Sequence, residues 1–128
     1  MDERIATVER MYQLFEAGDI DGIMELCVPD PAVTQDPALP WGGRHVGRDA
    51  VIEFALKLAE VTDSKLVHEQ LYAAGDRVIQ QGRSVGTVRS SGAAFDIPEC
   101  HVWTFSGGLI EEGAFYLDSA AMLEVLGR

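Results

Sequence analysis

At Lys65 the spacing of apolar residues changes from three-and-four to two, and any fold must accommodate that change. Before it, Ile5, Val8, Met11, Tyr12 and Phe15 fall on one stripe, which predicts a helix over residues 2–17. Gly18 stops that helix, and Asp19 caps a second one carrying Ile20, Ile23, Met24 and Leu26, which Pro29 and Pro31 end. Residues 32–36 read as a short strand, 37–43 as a loop and 44–46 as a small strand. Gly47-Arg48-Asp49 then opens a third helix with Val51, Ile52, Phe54, Ala55 and Leu58 as its apolar set. After Lys65, segments 65–73, 77–90, 94–106 and 109–117 alternate as long strands. Gly75-Asp76, Ser91-Gly92 and Gly107-Gly108 supply the turns between them. Asp118-Ser119 caps a last short helix with Met122, Leu123 and Leu126.

Hairpin links this short imply a mostly antiparallel sheet, and three helices followed by such a sheet make an α+β fold. One sheet face packs on the helices, and the other is solvated or covered by a partner. Residues 94–106 carry apolar side chains on both faces: Phe95, Ile97, Trp103 and Phe105 on one, Cys100 and Val102 on the other. That pattern favours a homodimer through the outer face.

The 128 residues are enough for one domain, 1–128, with a core of its own. A net charge of -11 repels phosphates, which argues against nucleic acid or an anionic membrane as partner. Cys27 and Cys100 lack metal-ligand spacing and read as buried free thiols in a reducing compartment. The charged start, Met1-Asp2-Glu3-Arg4, has no signal-peptide core, and no apolar run is long enough to span a membrane. The expected location is cytoplasmic.

Asp36 in Val33-Thr34-Gln35-Asp36-Pro37 stands among apolar residues. At the mouth of an apolar pocket its pKa rises and it can shuttle a proton. On a loop it is a solvated turn residue before a proline. The loop Pro40-Trp41-Gly42-Gly43 places Trp41 either over a ligand or against the third helix. Histidines 45, 68 and 101 have no metal-site spacing, so no metal is expected. No phosphate-binding glycine loop or nucleophile elbow occurs, and no cofactor is expected.

The order of Glu16-Ala17-Gly18-Asp19-Ile20-Asp21, Val33 to Pro37, Gly47 to Phe54, and Trp103-Thr104-Phe105 through Gly108-Leu109-Ile110 to Asp118 resembles the nuclear transport factor 2-like superfamily. Within it, the chain looks most like the SnoaL-like and ketosteroid isomerase-like branches. The resemblance implies a cone: a curved sheet, mixed or antiparallel, packed on three N-terminal helices with an apolar cavity between. It implies that Val8, Met11, Tyr12 and Phe15 face the cavity from the first helix. Glu99, His101 and Trp103 would face it from one strand, and Gly113, Phe115 and Leu117 from the last. Asp36 falls where the isomerase branch carries its general base, and His101 where it carries a hydrogen-bonding acid. The isomerase's oxyanion tyrosine falls at Met11, with Tyr12 about 100° further round the helix. The cyclase branch's acid has no counterpart in Glu112-Gly113-Ala114-Phe115.

Two functions are expected from this. The first is a cofactor-independent enzyme of the isomerase, cyclase or hydrolase type acting on an apolar oxygenated ligand. Asp36 would be its acid/base, His101 and Tyr12 would orient a ligand oxygen, and Met11, Phe15, Trp41, Glu99, Trp103, Gly113, Phe115 and Leu117 would hold the ligand. The second is a non-catalytic ligand-binding or dimerisation module of the same fold.

Overall fold

The structure, a computed structural model, describes residues 2–128. Its elements run α1 (Glu3–Glu16), α2 (Ile20–Glu25), β1 (Cys27–Gln35), β2 (Gly43–Val46), α3 (Arg48–Val61), β3 (Thr62–Ala74), β4 (Arg77–Val88), β5 (Ala94–Ser106), β6 (Leu109–Leu117) and α4 (Ser119–Val125). The six strands form one sheet in the order β2-β1-β6-β5-β4-β3. Every pairing is antiparallel except β1 with β6, which is parallel. This is the expected α+β architecture with a mixed sheet.

Three helix starts are set by aspartates. Asp2, Asp19 and Asp118 accept hydrogen bonds from the backbone N–H of Arg4, Gly22 and Ala121 at 2.8, 2.9 and 3.1 Å. Each satisfies a donor that the first helical turn leaves free. β1 starts at Cys27, five residues earlier than the proline pair predicts. Pro29 and Pro31 lie in the irregular stretch between the Cys27 and Ala32 pairings with β6, where the missing N–H groups break no ladder. Register shifts between His68 and Gln70 in β3, and between Thr104 and Phe105 in β5, bend the sheet.

One face of this sheet carries two apolar clusters. Val8, Met11, Leu14 and Ile23 from α1 and α2 pack with Val78 and Trp103. Phe54 of α3 and Met122 of α4 pack with Val33, Trp41, Phe95 and Ile97. Burying a side chain such as Val8 or Met122 contributes about 1.5–3 kcal/mol. Phe115 and Val51 touch both clusters, and the space left between them is the cavity described below. Cys27 and Cys100 are free and half-buried rather than fully buried. No helix among the described residues is long and apolar enough to cross a membrane.

Candidate active site

Strand alternation and register decide which side chains meet. Gln80 on β4 pairs with His101 on β5, and His101 with Phe115 on β6, so these three form one inward row. Two residues along, Gly82, Glu99 and Leu117 form the next row. A Cβ on Gly82 would lie 2.1 Å from the Val67 carbonyl oxygen and 3.0 Å from both Gln80 Nε2 and Glu99 Oε1. Glycine therefore leaves the room in which those two side chains meet. A Cβ on Gly113 would lie 2.7 Å from the Trp103 ring and 2.8 Å from that of Phe115. The absence of a side chain there admits both aromatics to the inner face.

The rows and the helices enclose a cavity of about 130 Å³. Met11, Tyr12 and Phe15 line it from α1, Phe54, Ala55 and Leu58 from α3, Trp41 from the loop and Met122 from α4. Glu99, His101, Trp103, Phe115 and Leu117 line it from the sheet. A second cavity of about 90 Å³, lined by Gly113 and by apolar side chains of α2, β1 and α3, adjoins it and shares Met11, Phe15, Phe54, Trp103 and Phe115.

Two hydrogen-bonded sets meet on the wall. Trp103 Nε1–H donates to the Tyr12 hydroxyl at 3.0 Å, and that hydroxyl lies 2.7 Å from His101 Nδ1. Burial raises the Tyr12 pKa far above its ordinary value, so the phenol keeps its proton and donates it to Nδ1. His101 then carries its own proton on Nε2. Burial, reinforced by His68, lowers the His101 pKa to about 3, so the ring is neutral. Its Nε2 lies 3.1 Å from Glu99 Oε2 but out of line for a hydrogen bond, and Oε2 has no partner among the described residues. Glu99 Oε1 accepts from Gln80 Nε2 at 2.9 Å, and the same amide donates to His68 Nδ1 at 2.9 Å. Glu99 is 6% exposed, and burial pushes its carboxyl up to about 7 against the opposing Gln80 bond. A carboxyl half-ionised near neutral pH, with one free oxygen on an apolar wall, is equipped to take and return a proton.

Asp36 requires a correction. It is exposed and does not line the cavity, and its Oδ1 accepts the Ala38 N–H at 2.9 Å. That bond holds the carboxyl below its ordinary value, the opposite of what a general base needs. The reason is that β1 ends at Gln35, and Asp36 opens the turn that its own carboxylate closes on the Ala38 N–H. Val8 is also corrected, since it is wholly buried against Val78 and Trp103 and lines neither cavity. Trp41 is 2% exposed, part of the wall rather than a lid, and its indole donates to Gln35 Oε1 at 2.7 Å. His45 is half-buried, its ring tilted at 52° against Phe54, with Nε2 3.1 Å from the carbonyl oxygens of both Trp41 and Gly42. Phe15 lines the cavity yet is 47% exposed, which places it at the rim.

Glu99 enters as the central carboxylate where the sequence reading gave it only a contact. Gln80 and Gln35 have no site role in the sequence pattern, where Gln35 stands only as the neighbour of Asp36. Their signal was a glutamine at an inward position of an apolar strand, two residues from Val78 and from Val33.

Residues 8–113 match the family model of the SnoaL-like domain. No curated protein matches the chain. An NTF2-like protein of unknown function from Burkholderia pseudomallei K96243 superposes with a TM-score of 0.91 over the whole of both chains at 23% identity. TerC, co-crystallised with polyporic acid, gives 0.87 at 23% identity, over 99% of this chain and 100% of that one. A candidate SnoaL-like polyketide cyclase from Jannaschia sp. CCS1 gives 0.85 at 21% identity, over 97% and 91% of the two chains.

Proposed function

The chain belongs to the SnoaL-like domain family, and from that membership we propose that it is a cofactor-independent enzyme of the isomerase or cyclase type, working on an apolar oxygenated small molecule in the cavity. The observation carrying this is Glu99 Oε2, a buried carboxylate oxygen without a partner among the described residues, on an otherwise largely apolar wall. Glu99 takes a proton from a carbon or hydroxyl beside a carbonyl. His101 Nε2–H steadies the oxyanion that forms, and Glu99 returns the proton at a second atom. Tyr12 and Trp103 hold the imidazole in the tautomer this needs. The co-crystallisation of TerC with polyporic acid supports a small-molecule ligand for a chain of this fold.

The test is proton exchange into cyclic 1,3-dicarbonyl compounds in D2O, followed by NMR. Wild type exchanges them above the buffer rate, and Glu99→Gln loses about 10²–10⁴-fold. A Glu99→Gln variant as fast as wild type would refute the assignment. A second reading, a non-catalytic binder, is favoured by the Tyr12 hydroxyl, which is taken up by Trp103 and His101. Tight binding without exchange would establish it. As for a partner, we propose a second copy of the chain on the outer sheet face, where Val67, Tyr72 and Tyr116 are exposed.

A further inference from the structure

The polar atoms of the cavity are not all in one place. Tyr12, His101 and Glu99 form one pole, Ser84 lies on β4 one row beyond Glu99, and Gln35 stands apart on β1. The register that sets Val33 beside Gly113 and Thr34 beside Ala114 puts Gln35 in the row of Phe115, whose other neighbour is His101. Gln35 and His101 are thus two strands apart, roughly 10 Å between backbones, with both side chains on the concave face.

The orientation of the Gln35 amide is set by chemistry. An indole N–H can only donate, so the atom it meets at 2.7 Å must be the amide oxygen. Trp41 is itself 2% exposed and cannot swing away. The amide NH2 is left as the free end. Gln35 is 8% exposed and lines the cavity, and its Nε2 has no hydrogen bond among the described residues. A donor held in one orientation on the cavity wall, with no protein acceptor, is placed to be completed by a ligand acceptor or water.

We infer that Gln35 is a second, fixed recognition pole, and that the cavity selects a single-ring ligand carrying two oxygens on opposite sides of the ring. One oxygen accepts from the Gln35 amide, and the other meets Glu99 Oε2 and His101 Nε2. The ring size follows from the volume: about 130 Å³ is close to the engineered cavity of about 150 Å³ that takes benzene. An apolar substituent on the ring extends into the adjoining cavity past Phe54 and Phe115. This deepens the proposed function and rests on the same cavity being the ligand site.

The probes are 4-hydroxybenzaldehyde, whose hydroxyl suits Glu99 and whose carbonyl suits the Gln35 amide, and 4-methylphenol, which keeps the ring and the hydroxyl alone. Wild type binds the aldehyde about five- to tenfold more tightly, the worth of one net hydrogen bond. Gln35→Met brings the two affinities together. In wild type, the side-chain NH2 signals of Gln35 in a 1H–15N spectrum move on adding the aldehyde and stay in place with 4-methylphenol, a readout that needs no variant. Equal affinities with an unmoved Gln35 amide would overturn the second pole while leaving the cavity and Glu99 as proposed. Binding of neither probe would overturn the cavity as ligand site, and this inference with it.

Discussion

Burial acts on Glu99 and His101 in opposite senses, raising the carboxyl to about 7 and lowering the imidazole to about 3. Glu99 holds its proton more tightly in the folded chain than unfolded, so its stabilising contribution is full below about 4.5 and is lost as pH rises through about 7. His101 holds its proton less tightly when folded, so its contribution is present above about 6.5 and is lost as pH falls towards 3. Between those limits the two slopes oppose each other. Glu99→Gln removes the first and keeps the second. The variant gains on wild type by about 1–3 kcal/mol as pH rises from about 5 to about 8. Urea unfolding across that range measures it, and a pH-independent gap would contradict the buried, proton-holding carboxyl. Asp36→Asn tests the outward residue: exchange rates stay within about twofold of wild type, since an exposed side chain with only a local turn contact has little to lose. A rate loss of the size expected for Glu99→Gln would return the general base to Asp36.

At the scale of elements, the aspartate caps and the glycine clearances set what each segment tolerates. Asp118→Ala removes the bond to Ala121 N–H at the start of α4. It lowers stability by about 1 kcal/mol. Because α4 carries Met122, part of the cavity wall, the ligand-induced shift in Tm falls with it. Gly113→Ala forces a methyl against the Trp103 and Phe115 rings and costs about 1–3 kcal/mol, read as a lower urea midpoint. A neutral result there would mean that the rings move aside freely and do not define the wall. The elements themselves were largely legible. Strands β5 and β6 fall at their expected residues because Gly107-Gly108 marks the turn between two runs of alternating residues, and the shift at Thr104 and Phe105 bends the pair without ending it. β1 was shortened because Pro29 and Pro31 act as breakers only where a ladder needs their N–H, and here it does not.

For the whole molecule, the outer face is the open question of assembly. Val67, Tyr72 and Tyr116 are 45%, 39% and 58% exposed, and they are the side chains on which the proposed pairing would rest. Sedimentation should give a dimer for wild type and a monomer for Tyr116→Glu, with the Gln35 and Glu99 cavity on the opposite face unaffected. A wild-type monomer at all concentrations would remove the pairing and leave the face to solvent.

The order of helices and strands, the α+β class and the inward set Met11, Tyr12, Phe115 and Leu117 follow from periodicity and from a likeness spread along the chain, because both are properties of consecutive residues. Which carboxylate faces the cavity does not. Asp36 and Gln35 are adjacent, but β1 ends at Gln35, so the glutamine lines the cavity from the sheet while the aspartate caps the turn that follows. The Trp103–Tyr12–His101 bonds and the Gln80–Glu99 bond beside them join residues brought together only by the pairing of β4, β5 and β6 and by the docking of α1. The raised carboxyl, the neutral imidazole and the pinned amide of Gln35 are products of that burial. Desolvation is set by everything packed around a group, and tertiary structure alone determines it.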